Sequence, residues 1–143
     1  MKTITSLFSK NDLVVFTAKN CSYCKQVKET LTKAKIQYIE KDIKEFETEW
    51  HDLISVTNMP VTPAIVYKGA NLFPARDFPN AEILIQILQQ FNGVTGDINN
   101  TIYERLRTFN HHVNLGFNRL DGRLKSIEEK LNTEKKDEHK SND

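Results

Sequence analysis

The 143-residue sequence has little of several residue types: two cysteines, one tryptophan and five glycines. It also lacks an excess of either charge, since 20 lysines and arginines face 19 aspartates and glutamates. This balance excludes a polybasic nucleic-acid-binding chain. No apolar run approaches the roughly 18 residues of a membrane span, and residues 1–10 lack the apolar core of a signal peptide. We therefore expect a cytoplasmic protein with neither a nucleic-acid nor a membrane partner.

Proline and cysteine are absent from the C-terminal third. All four prolines and both cysteines precede residue 98, and residues 98–143 contain none. Residues 92–97 hold two glycines, which is typical of a helix end followed by a linker. We predict a compact domain over residues 1–92, a linker over 93–97, a long helix over 98–132 and a disordered tail over 133–143.

The first part of the chain predicts an α/β fold. Short β-branched or alternating runs predict strands, and apolar residues at intervals of three and four predict helices. A helix between the first two strands implies that they are parallel, and a short turn between the last two implies a hairpin. We expect strands at 13–16, 36–40, 64–67 and from 72, and helices at 22–35, 44–55 and 80–91. The result is a small mixed sheet with helices on both faces.

The C-terminal segment has a heptad-like apolar stripe. Its spacing predicts an amphipathic helix about 50 Å long and a coiled coil that forms a homo-oligomer or docks on another protein. The mixed residue types of the stripe do not fix the number of strands. Charged residues such as Glu104, Arg105 and Arg107 are interpreted as a solvated flank. The stripe consists of Ile98, Ile102, Leu106, Phe109, Val113, Phe117, Leu120, Leu124, Ile127 and Leu131.

Cys21 and Cys24 form a C-x-x-C motif after the first predicted strand and at the start of the next helix. The partial positive charge of a helix N-terminus stabilises a thiolate, and Lys19 and Lys25 add positive charge. Two intervening residues place the second sulfur within reach of the first. This arrangement predicts a dithiol in which Cys21 attacks a disulfide and Cys24 resolves the intermediate.

Three other interpretations of the cysteine pair were weighed. A zinc site needs about four ligands, and the sequence offers two cysteines and four scattered histidines, so we expect no metal site. The adjacent His111 and His112 point in different directions on a helix and are interpreted as solvated. A purely structural disulfide is disfavoured in the cytoplasm, and the strand–cysteine–helix context argues against inert thiols.

Two segments of the sequence resemble a dithiol glutaredoxin of the thioredoxin-like superfamily. They are Phe-Thr-Ala-Lys-Asn-Cys-Ser-Tyr-Cys at 16–24 and Met-Pro-Val-Thr-Pro-Ala-Ile-Val-Tyr at 59–67. The resemblance covers about residues 10–92. It implies a four-stranded mixed sheet flanked by three helices, and thiol–disulfide exchange with glutathione as reductant and no tightly bound cofactor. It also implies protein disulfides as substrates.

The resemblance assigns roles to individual residues. Cys21 is the attacking thiol and Cys24 the resolving thiol, while Tyr23 lines the groove beside them. Pro63 is a cis-proline facing the disulfide, and Thr62 offers backbone groups to a bound peptide or glutathione. We expect Lys19 and Asp77 to complete the glutathione-binding set.

The sequence departs from the family pattern at two places. Ala18 stands where the family usually has a lysine, with Lys19 one residue later. Residues 73–80 replace a glycine- and aspartate-rich stretch that binds the γ-glutamyl end of glutathione. In this segment Asp77 or Asn80 is expected to cap the last helix and meet an α-amino group, and Arg76 is an alternative partner for a carboxylate.

Two other functions remain open from the sequence. A long helix on a small domain also suits a structural adaptor, for example a component of a virion or another large assembly. A glutaredoxin-like pair of chains with two glutathiones is also able to bridge an iron–sulfur cluster.

Overall fold

The computed structural model describes residues 12–93 and 100–140. The elements follow the predicted order β-α-β-α-β-β-α, with a long helix after them. The predicted linker residues 94–97 and the expected helix start at 98 and 99 lie outside the described residues. The elements are β1 (Val14–Thr17), α1 (Ser22–Lys33), β2 (Ile39–Asp42), α2 (Glu47–Thr57), β3 (Ala64–Tyr67), β4 (Ala70–Leu72), α3 (Ala81–Gln90) and α4 (Asn100–Lys140).

The four strands form one mixed sheet in the order β2-β1-β3-β4. β1 runs parallel to β2 and antiparallel to β3, and β3 pairs antiparallel with β4. The parallel first pair and the hairpin of the last pair are both confirmed. At the hairpin, Lys68 and Gly69 have positive φ angles of 47° and 81°, so this two-residue turn starts β4 at Ala70, earlier than predicted.

The sheet separates two apolar clusters, one on each face. α1 and α3 cover one face, where Val27, Leu31 and Leu84 are fully buried against Val15 and Ile65. α2 covers the other face through a cluster made of Phe16, Trp50, Leu53, Met59, Ala64 and Phe73. This division confirms helices on both faces and holds the ends of β1 and β3 in fixed positions.

Two elements begin later than the sequence pattern indicates. The N–H of Ile36 donates to the carbonyl of Leu31, and Lys35 has a φ of 56°, so residues 34–38 close α1 before β2 begins. The Asp42 carboxylate accepts the N–H of Lys44, which holds a turn ahead of α2. Local hydrogen bonds of this kind compete with regular secondary structure.

Helix α4 extends to Lys140, so residues 133–140, expected to be disordered, are helical. The chain divides into two compact units, the first ending at Thr108 and the second beginning at Phe109. The first unit therefore extends beyond the predicted boundary at residue 92. We call the described residues 12–93 and 100–108 the head, and residues 109–140 the distal helix. In these ranges no helix has the length and apolarity that crossing a membrane requires.

Candidate redox site

Cys21 caps the N-terminus of α1. Its backbone is extended, with φ −86° and ψ 101°, and its sulfur accepts the N–H of Cys24 at 3.2 Å. The first N–H groups of a helix have no partner within the helix, and an N-cap side chain supplies one. The Cys21 sulfur therefore lies where the partial positive charge of α1 is greatest.

Cys21 and Cys24 are joined as a disulfide, with their Cα atoms 5.2 Å apart. Cys24 is buried in the head, with 2% of its surface exposed, while Cys21 is only half-buried. An incoming thiol or disulfide therefore meets Cys21 first. The two sulfurs thus differ in their access to solvent, and their roles as attacking thiol and resolving thiol stay predictions.

The Thr62–Pro63 peptide bond is cis, as the resemblance implies, and Pro63 is buried. The fold brings this turn against the cysteines although 41 residues separate Thr62 from Cys21. The Thr62 hydroxyl donates to the Cys21 sulfur at 3.7 Å, and the Thr62 carbonyl oxygen lies 3.9 Å from the same atom. The structure thus groups Cys21, Cys24, Thr62 and Pro63 into one site.

Tyr23 lies beside the disulfide and packs on the head core. Its ring centroid is 6.3 Å from that of Phe78, and its buried hydroxyl has no hydrogen-bond partner in the described part of the chain. Burial and the negative charge of Glu82 raise the pKa of the Tyr23 phenol. The phenol therefore stays neutral at physiological pH, and its buried hydroxyl is left as an unpaired donor among the described residues.

An open cleft of about 620 Å³ adjoins Cys21 and carries mixed charge. Lys28 donates to Glu40 at 2.8 Å, and this hydrogen bond is the main cause that lowers the pKa of Glu40 and raises that of Lys28. Three lysines against two carboxylates leave the cleft suited to an anionic group. Its lining consists of Thr17, Ala18, Lys19, Asn20, Cys21, Ser22, Cys24, Lys25, Lys28, Glu40 and Asp42.

Asp77 has an internal role. Its Oδ2 accepts the N–H of Phe73 and the Nε–H of Arg76, both at 2.8 Å, and its Oδ1 pairs with Arg107. The side chain is nearly inaccessible to solvent. Asn80, and not Asp77, caps α3, because the Asn80 side chain accepts the N–H of Ile83 at 2.9 Å. Asp77 is instead bound to the guanidinium groups of Arg76 and Arg107. The structure therefore does not present Asp77 to a ligand.

The partners of Asp77 belong to a buried charge cluster that includes the start of α4. Arg76 lies 2.9 Å from Glu104 as an ion pair and donates to the Thr108 hydroxyl at 3.0 Å, and Arg107 donates to Glu104 at 3.1 Å. Glu104 and Thr108 are each only 1% exposed, so the expected solvated flank is wrong for Glu104. We call Arg76, Asp77, Glu104 and Arg107 the charge cluster.

The start of α4 also caps the C-terminus of α2. Arg105 donates to the carbonyl of Ser55 at 2.7 Å, and the Thr108 hydroxyl donates to that of Thr57 at 2.6 Å. The last carbonyls of a helix lack partners and carry partial negative charge, and α2 has no basic residue of its own in its last turn. α4 supplies both the donor and the cation.

The fold and the site together define a class of protein. A four-stranded mixed sheet, a cysteine pair at the start of its first helix and a cis-proline turn against the first cysteine make a thioredoxin-like domain of the thiol oxidoreductase type. Within residues 12–93 and 100–140, no three His, Cys, Asp or Glu side chains cluster to hold a metal.

Residues 13–71 match the family model Glutaredoxin. The matched segment contains the Cys21–Cys24 pair, and a long C-terminal helix follows the domain. No curated protein matches the chain. Among solved structures, the thioredoxin-like protein BC3987 is 26% identical, with a TM-score of 0.45 over 53% of this chain and 99% of its own. The holo form of glutaredoxin C1 from Populus tremula x tremuloides is 21% identical, with a TM-score of 0.43 over 57% and 78%.

Proposed function

We propose that this protein reduces protein disulfides or glutathione mixed disulfides, with Cys21 as nucleophile and glutathione as reductant. The observation that carries the proposal is the half-exposed Cys21 sulfur at the N-terminus of α1, within reach of the Cys24 N–H and the Thr62 hydroxyl. These donors stabilise the thiolate form of Cys21 more than its neutral thiol form, and they therefore favour the reactive species.

The proposed reaction has four exchanges, two that reduce the substrate and two that restore the dithiol. The Cys21 thiolate attacks one sulfur of the substrate disulfide, and the other sulfur leaves as a thiolate that takes a proton from water. The Cys24 thiolate then attacks the Cys21 sulfur, releasing the second substrate thiol and forming the internal disulfide seen here. Two glutathione molecules reduce this disulfide and leave as glutathione disulfide. Such a cycle suits the reducing cytoplasm, where we propose that the protein works.

The charge of the cleft around Cys21 supports glutathione as the reductant. Lys19 and Lys25 line this cleft and are proposed as ionic partners for a carboxylate of the tripeptide, and the Thr62 hydroxyl lies 3.7 Å from the Cys21 sulfur. Asp77 is left out of this set because its carboxylate is already paired inside the head. We therefore propose that Lys19, Tyr23, Thr62 and Pro63 contact glutathione.

The substitution Cys21→Ser tests the proposed chemistry. Glutathione-coupled reduction of a small disulfide should fall by a factor of about 10³ or more, because serine supplies no thiolate. The matched control is Ser126→Ala, at an exposed serine of the distal helix that does not line the cleft, and it should leave the rate within twofold of the parent. Undiminished turnover in Cys21→Ser would exclude Cys21 as the nucleophile.

A structural adaptor is the second candidate, and the apolar stripe of α4 supports it, because its large side chains are exposed. In this case the redox pair is incidental. The absence of turnover by the full chain with either glutathione or a thioredoxin reductase as electron source would favour the adaptor over the enzyme.

A further inference from the structure

The distal helix carries a continuous apolar stripe that its own unit leaves uncovered. Between 53% and 67% of each large side chain from Phe117 to Leu131 is exposed. Contiguous apolar surface of this kind marks an interaction site in soluble proteins. The members of the stripe are Phe117, Leu120, Leu124, Ile127 and Leu131.

The spacing of these residues sets a heptad register. When the seven positions of the repeat are lettered a to g, the core positions are a and d. Phe117, Leu124 and Leu131 occupy position a, and Leu120 and Ile127 occupy position d. The flanking e and g positions then have opposite charge on the two sides of the stripe. Asp121 and Glu128 occupy the e positions on one side, and Arg123 and Lys130 occupy the g positions on the other.

This separation of charge distinguishes between the two ways of pairing two identical helices. In a parallel, in-register pair a g residue meets the e residue five positions later on the other helix, so Arg123 faces the partner's Glu128 twice by symmetry. In an antiparallel pair g faces g and e faces e, which brings arginine to lysine and aspartate to glutamate. Like charges at these positions disfavour the antiparallel pair.

We propose that residues 117–131 bind the same segment of a second copy of this chain as a parallel, in-register coiled coil. Arg123 and Glu128 are complementary to the same two residues of a second copy in a parallel pair, which is why a second copy fits the stripe. The two chains then enter the coiled coil from the same end. This proposal concerns assembly and does not depend on the redox chemistry.

Charge reversal at Arg123 tests the proposal on the full chain. Arg123→Glu should raise the dissociation constant of self-association, measured by sedimentation equilibrium, by about tenfold, since two attractive pairs become repulsive. The helix itself is not weakened, because the new carboxylate lies four residues after Arg119. The double variant Arg123→Glu/Glu128→Arg should restore association, and Arg119→Glu, on the outer face, should leave it unchanged.

Two outcomes of this experiment would overturn the proposal. One is a single-chain mass for the parent at its highest soluble concentration, which would leave the stripe to a foreign partner. The other is tighter association of Arg123→Glu, which only an antiparallel pair explains, because the new carboxylate then meets Lys130 of the partner subunit.

Cross-linking gives an independent measure of direction. In a Cys21→Ser/Cys24→Ser background, Leu131→Cys should oxidise to a covalent dimer, because a parallel pair brings the two Cα atoms at position 131 within disulfide range. Glu129→Cys, on the outer face, is the matched control and should cross-link poorly. Equal cross-linking at the two positions would contradict the parallel arrangement.

Discussion

The two parts of α4 use their faces in opposite ways. In residues 100–108 the buried side chains are polar, with Glu104 and Thr108 almost inaccessible, while Leu106 is 61% exposed. In residues 109–137 the charged residues are exposed, and so are the large apolar side chains of the stripe from Phe117 to Leu131. Residues 100–108 are held to residues 12–93 by ion pairs and hydrogen bonds, whereas residues 109–137 make no equivalent buried polar contact. An apolar stripe in a sequence therefore does not reveal which face a helix buries.

The charge cluster pairs its opposite charges closely, although Glu104 Oε2 meets Arg76 only as an ion pair and has no hydrogen-bond partner among the described residues. Arg76 donates to the Asn71 carbonyl, the Thr108 hydroxyl and the Asp77 carboxylate, and its guanidinium group lies over the Phe73 ring. Two arginines and two carboxylates make the cluster neutral. Removing charges from water costs several kcal/mol per ion, and only such close pairing offsets the cost. Loss of one member leaves a buried charge uncompensated.

The largest difference in the free energy of unfolding is expected when one carboxylate is neutralised in each of the two parts of α4. Glu104→Gln should lower the free energy of unfolding of the head by about 2–4 kcal/mol, because Arg76 and Arg107 lose a buried partner. Glu129→Gln, in the exposed distal helix, should change it by less than about 0.5 kcal/mol. Urea unfolding followed by the fluorescence of Trp50, the single tryptophan of the chain, measures both.

Equal effects of the two substitutions would contradict this contrast. If Glu104→Gln unfolded as the parent does, the start of α4 would not be part of the head. A large effect of Glu129→Gln would instead show that the distal helix contributes to the folding of the head.

The exposed ion pair of Lys28 and Glu40 provides a contrast with the buried charge cluster. Its effect on the free energy of unfolding should be small and should depend on pH. The hydrogen bond from Lys28 is the main cause that holds the pKa of Glu40 below its ordinary 4.5. The stability from Glu40 is therefore present above pH 4.5 and lost as the pH falls through the lowered pKa. Because 42% of the Glu40 side chain is exposed, Glu40→Gln should cost at most about 0.5 kcal/mol at neutral pH.

Urea unfolding at neutral pH and at roughly pH 3 checks this prediction. The difference between Glu40→Gln and the parent should shrink at the lower pH, because the Glu40 carboxylate takes up a proton as the pH falls through its lowered pKa. Glu45→Gln, also on an exposed carboxylate, is the matched control. A difference that persists at the lower pH would show that Glu40 acts through shape or hydrogen bonding rather than charge.

Local patterns were sufficient to predict most of the head. The apolar runs of β1 and β3 and the stripe of α3 predicted these elements, and the position of Cys21 at the start of a helix predicted that its sulfur lies near the positive helix end. The resemblance supplied the cis-proline at Pro63. These features depend on residues that are neighbours in the sequence, or on a family motif that includes a second segment distant in the sequence.

The charge cluster and the buried Lys41 were beyond such patterns. Asp77 meets Arg107 across 30 residues, and Arg76 meets Thr108 across 32, so no periodicity within one element reports these pairs. Lys41 is buried on β2 because Glu49 of α2 pairs with its ammonium group and the rings of Phe16 and Phe46 lie close to it. In a sequence, a single charged residue predicts a position exposed to solvent. The partner that allows such a residue to be buried is brought to it only when the chain folds.

A comparison of two shortened chains tests most directly the claim that the head ends at Thr108 and carries the redox chemistry alone. A chain ending at Asn114 should keep the disulfide reductase activity and the unfolding midpoint of the parent, with the mass of a single chain. A chain ending at Gly96 should unfold at a clearly lower urea concentration, because the charge cluster and the cap of α2 are lost. Equal stability of the two, or loss of activity in the longer one, would contradict the account.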